Sequence, residues 1–244
     1  MAPPAGSTYT LMQMNLCLSG LGTCYRKVAY PAVVEEAVAR IRQAHPDAVT
    51  FNEACGNDVA LIARRTGYHL RFSRVIYHDE LLPCIKPGGR GLFGNAVLSK
   101  APIESSESHA FAAQAGPERR EWLCVSTRVG VEVCTAQLAA PAIDEAAAND
   151  PQCAELRALL ARRAAARAVI FGGDVNRRPS CARTASGPAP TAPLARPRGF
   201  SRSTEPERSA RPRRRWCRPR TPTTTSCWYG RTSPHSDDRH CRLV

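Results

Sequence analysis

The chain has 244 residues, 43% of them hydrophobic, and a formal net charge of +13 with a pI near 9.7. That composition supports a sizeable core in one domain or two small ones and excludes wholesale disorder. No apolar run approaches the roughly 18 residues needed to cross a bilayer, which excludes a helical membrane protein. The charge invites a nucleic-acid reading, yet residues 1–180 hold 20 Lys and Arg against 17 acidic residues, whereas residues 181–244 hold 14 Arg against 4.

In chain order, Tyr9–Cys17 carries Leu11, Met12, Met14 and Leu16 and reads as a strand. Val33, Val34, Ala37, Val38 and Ile41 lie at helical spacing and predict a helix over Ala32–Ala44. Asp47–Ala54 follows Pro46 as a buried strand that ends in a polar loop. Asp58–Thr66 reads as a helix stopped by Gly67. Leu70–Tyr77 and Leu92–Ser99 are predicted strands, and Glu121–Arg128 with Val131–Leu138 form a hairpin around Val129-Gly130. Pro151–Ala166 is a helix with Asp150 as its cap and Pro151 at its first position. Ala168–Gly172 is a short buried strand running into Gly173 and Asp174. Hairpins mixed with crossover helices indicate a layered α/β or α+β sheet protein. No internal repeat is visible.

The organisation changes after residue 180. Residues 181–244 contain 9 Pro, no Ile, no Met and a single Val, with neither strand nor helix periodicity, so they form an Arg/Pro-rich, low-order segment distinct from a domain over 1–180. Three origins fit this composition: a basic tail, a Pro-rich linker, or out-of-frame translation of GC-rich codons. The third also accounts for the absence of strand-forming sequence there.

Eleven cysteines suggest disulfides and an oxidising, secreted or extracytoplasmic location, although Met1–Thr10 lacks the features of a signal peptide. No pair has C-x-x-C spacing, which removes support for zinc ribbons and thioredoxin-type motifs. Cys17 with Cys24, Cys55 with Cys84, and Cys153 with Cys181 are candidate bridges. Cys124 and Cys134 read as small core residues on paired strands.

Polar residues cluster where apolar strands end: Asn15 after Met12–Met14, Asn52-Glu53 after Val49–Phe51, Gln137 after Val133–Ala136, and Asp174-Val175-Asn176 after Val169–Gly173. Layered α/β enzymes collect catalytic groups at such ends. Asn15 alone would be a turn residue, Glu53 a solvated acid and Asp174 a cap. Together they suit metal-assisted phosphoester hydrolysis, which needs oxygen ligands for a hard cation and a carboxylate to handle the attacking water. Gly89–Gly94 formally matches G-x-G-x-x-G, but no clear strand precedes it and a strand follows it, so dinucleotide binding is set aside. Arg162–Arg167 reads as a solvated helix face.

These stretches, in this order over residues 9–178, resemble the endonuclease/exonuclease/phosphatase superfamily. The strand Gly91–Ser99, with Asn95, and the segment Arg120-Glu121-Trp122 are similar to that family as well. The resemblance implies an α+β fold: a two-sheet β-sandwich flanked by helices, in four α/β/β/α layers, with an irregular C-terminal tail. It implies a Mg²⁺- or Mn²⁺-dependent phosphoesterase acting on a phosphate ester, nucleic acid among the options, as a monomer. Glu53 and Asn15 would serve the metal, Asp174, Asn176, Gln137 and Asn15 the catalysis, and Arg120 and Asn95 the phosphate.

The pattern breaks in two places. Gln137 stands where the family places a His, and Gln carries no proton near neutral pH. The family's terminal Ser-Asp-His segment finds its nearest counterpart in Ser236-Asp237-Asp238. The chain is therefore expected to be marginally stable, with a sheet edge and apolar face uncovered, and weakly active or inactive. The alternative is a non-catalytic protein of phosphoesterase type whose basic tail binds nucleic acid. A third option is an unrelated disulfide-bonded secreted domain.

Overall fold

Alternation along β2 (Ala48–Cys55) decides the layering. In the computed structural model, which describes residues 9–140 and 146–177, Val49 and Phe51 pack beneath α1 (Ala32–Ala44) and α2 (Gly56–Thr66), while Ala48, Thr50 and Asn52 face a second sheet. A strand with period two and both faces buried must be covered on each side, which yields a sandwich.

The first sheet holds β1 (Leu11–Asn15), β2, β3 (His69–Arg74) and β6 (Phe93–Ser99) in the order β1-β2-β6-β3. The second holds β7 (Ile103–Ala110), β8 (Glu121–Thr127), β9 (Val131–Ala136) and β10 (Ala168–Phe171) in the order β10-β9-β8-β7. A two-stranded ribbon, β4 (Ile76–Tyr77) and β5 (Glu80–Leu81), and a short 3₁₀ turn over Thr23–Lys27 complete the connections on the first side. Beneath the second sheet, Trp122, Cys124, Cys134, Val169 and Phe171 pack on Leu156, Leu159 and Leu160 of α3 (Ala146–Ala166). Helices, sheet, sheet and helix form the four layers anticipated.

Between the sheets, each strand changes character along its length. The inward residues run Leu11, Gln13, Asn15 on β1 and Ala48, Thr50, Asn52 on β2. They run Val131, Val133, Thr135 on β9, and the antiparallel strands β6 and β8 run from Val97 to Asn95 and from Val125 through Leu123 to Glu121. One end of the interlayer is therefore apolar, with Leu11, Ala48, Val97, Leu123, Val125, Val131, Val133 and Ile170. The other is polar. The parallel pairs β1/β2 and β9/β10 place four C-terminal strand ends at that polar end.

Most predicted elements lie within a residue or two of the observed ones, and Gly67 closes α2 in the left-handed conformation. Several differ. The predicted strand Leu70–Tyr77 divides into β3 and β4. Edge strand β7 was not predicted because its exposed sequence, Glu104–His109, has no apolar alternation; its charges suit an edge. Helix α3 begins before Pro151 because its first turns are held from outside. Asn149 donates to the carbonyls of Ala139 and Val175, and Gln152 joins Ala113 and Ala139. Cys17–Cys24 and Cys55–Cys84 are bridged as expected. Cys124 and Cys134, read as core residues, instead form a cross-strand disulfide between directly opposed positions, with Cα atoms 4.1 Å apart. Cys153 is a buried free thiol, and its suggested partner Cys181 lies outside the described residues. The Arg162–Arg167 face is not simply solvated: Arg163 binds Glu132 and Glu107 and covers the Trp122 ring, and Arg167 donates to Ser126. The apolar residues of β10 are buried, while β10 itself forms an edge of its sheet among the described residues. The segment 181–244 lies outside the described residues. No helix among the described residues is long and apolar enough to cross a membrane.

The Gly89–Gly94 stretch owes its arrangement to Arg90. Its buried guanidinium pairs with Asp58 at 2.8 Å, donates to the carbonyls of Leu18 and Lys86, and sits 4.5 Å over the Tyr30 ring. Gly94 lets β3 approach: a Cβ there would meet the Ser73 carbonyl at 1.9 Å. Removing one partner of a buried ion pair strands the other charge. Arg90→Ala is expected to lower the unfolding free energy by about 3–5 kcal/mol, read by urea denaturation, with Asp58→Asn also destabilising.

Candidate active site

Glu53 owes its aim to an irregularity in β2. The register against β6 shifts between Phe51 and Ala54, and Glu53 adopts φ +54. Such a bulge redirects a side chain that regular alternation would send elsewhere. Asn52 and Glu53, although adjacent, both serve the polar end of the sandwich. Asn52, with no exposed surface, accepts from Gln13 and from the backbone N–H of Asp174 at 3.0 Å each, and donates to Asn95 at 2.8 Å. Asp174 thus comes from the second sheet but is held by a side chain of the first.

Close backbone approach allows this. A Cβ on Gly173 would meet the Ala136 carbonyl at 2.4 Å, so only glycine lets the chain leaving β10 run beside β9. The Asp174 N–H donates to Ala136 and the Leu138 N–H to Asp174, extending the parallel pairing to Gln137.

One amide joins the two carboxylates. Asn15 Nδ2 donates to Glu53 Oε1 at 2.7 Å and to Asp174 Oδ2 at 3.0 Å. Gln137 Nε2 donates to the same Glu53 oxygen at 2.8 Å, and its own Oε1 is buried without a hydrogen-bond partner. Burial raises the Asp174 carboxyl above its usual range; the bonds from Asn15 and the Asn176 N–H and the Arg120 charge oppose that rise, while Glu53 adds to it. Residues 159 positions apart therefore meet in one cluster of oxygen-bearing groups.

The sequence-predicted residues fall as follows. Glu53, Asp174, Asn15 and Gln137 come together. Asn15 does not present its amide oxygen to a metal position as expected: that oxygen accepts the Cys17 N–H at 3.1 Å, and the amide nitrogen faces the carboxylates. Asn176 is not extended. It adopts φ +49, its side chain donates to the Leu138 carbonyl, and its backbone N–H holds Asp174. Asn95 is buried and bonded at both ends, to Asn52 and Glu121, so a phosphate contact from it would require breaking one bond. Arg120 is buried, pairs with Glu118 at 2.7 Å, and lies near enough to act on the charge of Asp174. Ser236 and Asp237 lie outside the described residues. The sequence assigned no role to Asn52 or Ser73, and placed Glu121 only within the Arg120-Glu121-Trp122 segment. The inward run Ala48, Thr50, Asn52 was the available signal for the first.

The sequence matches the Endonuclease/Exonuclease/phosphatase family over residues 25–235. No curated protein matches it in sequence. Among solved structures, an endonuclease/exonuclease/phosphatase from Beutenbergia cavernae is similar with TM-score 0.50 and 19% identity, covering 69% of this chain and 47% of that one. The human Nocturnin catalytic domain is similar at 0.51 and 16%, covering 70% and 66%, and ANGEL2, a 2',3'-cyclic phosphatase, at 0.51 and 14%, covering 70% and 54%. The chain spans about half the length of the Beutenbergia protein. At these identities the likeness is one of fold.

Glu121 closes the polar end against β3. Ser73 donates to it and Asn95 bonds it, yet burial outweighs both and pushes its carboxyl from an ordinary 4.5 up to about 7. The folded-state value lies above the unfolded one. Its contribution to stability is therefore complete below pH about 4.5 and is lost as pH rises to about 7. Glu121→Gln is expected to remove that decline, amounting to a few kcal/mol. Unfolding free energies measured from pH 4 to 8 on both proteins check it, and equal slopes would refute it.

Proposed function

The chain belongs to the Endonuclease/Exonuclease/phosphatase family, and on that premise we propose that it is a divalent-metal-dependent phosphoesterase centred on Glu53, Asp174, Asn15 and Gln137. The supporting observation is the single Asn15 amide that binds both carboxylates across the two sheets. The donor set fits a hard cation. Two carboxylates and the partnerless buried oxygen of Gln137 are all oxygen donors, the class that Mg²⁺ and Mn²⁺ select. Glu53 would hold the ion. Bound there, it would supply Lewis-acid polarisation of a phosphoryl oxygen.

The remaining roles follow from the contacts. Asp174, its carboxyl raised by burial, accepts a proton from the attacking water more readily than an ordinary Asp. Asn15 and the Asn176 N–H hold its two oxygens and so fix the direction from which it acts. Arg120 supplies positive charge for the phosphate. Gln137 can donate a hydrogen bond to the substrate but cannot carry a proton, which leaves the leaving group without acid assistance at that position. Activity is therefore low. The near-neutral charge of residues 1–180 supports small phosphoesters as substrates ahead of DNA. The three disulfides among the described residues favour an oxidising, extracytoplasmic compartment.

With Mn²⁺ or Mg²⁺ and bis-p-nitrophenyl phosphate, Gln137→His is expected to raise turnover by on the order of 10²-fold or more. Glu53→Gln and Asp174→Asn, each in the Gln137→His background, should abolish that gain. Robust wild-type turnover would contradict the impaired state, and no gain from the histidine would contradict the role given to this position. Plasmid DNA assayed in parallel separates nuclease from small-ester activity.

A further inference from the structure

The Cys17–Cys24 disulfide lies against the proposed metal ligand. Cys24 Sγ is 3.9 Å from Glu53 Oε2, and the two sulfurs and the Glu53 carboxylate all lie within 4.8 Å of one another. The loop carrying Cys17 is fastened to the site itself. The Cys17 N–H donates to Asn15, and the Leu18 N–H donates to the Glu53 carbonyl at 2.9 Å. Of the three bridges among the described residues, this one alone has a half that is not buried. Cys24 is not buried, whereas Cys55, Cys84, Cys124 and Cys134 all are. A solution reductant reaches this bridge first.

We propose that Cys17, Cys24 and Glu53 form a redox-gated zinc site: reduction of the bridge creates a two-thiolate, one-carboxylate centre that takes Zn²⁺ and withdraws Glu53 from hard-cation chemistry. Disulfide sulfurs are poor ligands, so the oxidised pocket offers oxygen only and suits Mg²⁺ or Mn²⁺. A dithiol reductant delivers two electrons and two protons to the bridge. The S–S bond breaks, two cysteine thiols form, and the reductant leaves as its own disulfide. Zn²⁺ then replaces the two thiol protons, which pass to solvent, and Glu53 completes three protein ligands with a fourth position open. Thiolates select zinc over magnesium by ligand softness. The redox state of this bridge thereby chooses which metal the pocket holds. Competition with the catalytic ion rests on the role given to Glu53 above; zinc uptake on reduction does not.

The test uses the full chain treated with one equivalent of a dithiol and freed of it, with alkylation and mass mapping to establish that only Cys17 and Cys24 are reduced. Co²⁺ serves as the spectroscopic probe and Zn²⁺ displaces it. The reduced wild type is expected to develop sulfur-to-cobalt charge-transfer absorption and to bind one Zn²⁺ more per chain than the oxidised protein. Reduced Cys24→Ser should lack both, and Glu53→Gln should weaken zinc binding at least tenfold while keeping the sulfur-to-cobalt absorption. The oxidised and reduced wild type differ by the bridge alone, so this comparison stands even if Cys24→Ser fails to fold. Equal zinc uptake in the two redox states, or absorption unchanged by Cys24→Ser, would overturn the proposal. Hydrolysis that survives Glu53→Gln would instead overturn the catalytic reading and leave the zinc site standing.

Discussion

A buried amide fastens the two sheets to each other at their polar end. Asn52 has no contact with water, so each of its polar atoms must be satisfied inside the protein, at a cost of about 1–3 kcal/mol for any left unmade. Its oxygen accepts from Gln13 on its own sheet and from the Asp174 backbone on the other, and its nitrogen reaches Asn95. A shift of one sheet against the other would break the bond to the Asp174 backbone together with the longer approaches of the Asn52 nitrogen to Thr135 and to the Ala136 carbonyl. The position of Asp174 relative to Glu53 thus follows from packing that is obligatory for the fold.

Around that amide the interlayer is graded. Apolar side chains fill one end and supply the burial that drives the sheets together. Toward the other end Gln13, Asn15, Asn52, Asn95, Glu121 and Asp174 replace them, bonded into a network. Such a band is tolerable only when its members are satisfied, because low dielectric penalises unpaired groups. The carboxylates pay that penalty openly: burial raises both Asp174 and Glu121. The loops over this end are clamped by the Cys17–Cys24 bridge and by Arg90, which ties the segment before β6 to Leu18 and Asp58.

The order of strands and helices was legible because burial follows period. Ala32–Ala44, Ala48–Phe51 and Val131–Ala136 each carry their pattern plainly. Edge strand β7 was not legible, since one face of an exposed edge need not be apolar. The early start of α3 was hidden for a related reason. Its first turns are stabilised by Asn149 and Gln152 binding distant carbonyls, which no local preference records. The Cys124–Cys134 bridge needed the hairpin register to bring the two residues opposite each other.

The site divides in the same way. Residue type and position at strand ends singled out Asn15, Glu53, Gln137 and Asp174, because hard-cation chemistry restricts which side chains can serve and strand ends are where they converge. The sequence by itself also carried the family, through four short stretches in order, which the family match bears out. Only the tertiary structure decided which atom of Asn15 faces the carboxylates, that Asn176 acts through its backbone, that Asn95 is committed to Asn52 and Glu121, and that a disulfide touches Glu53. Those outcomes depend on the β2 bulge, the close approach at Gly173 and the register between sheets. They are distances across the fold, and a linear pattern constrains which groups are present without fixing the direction in which they point.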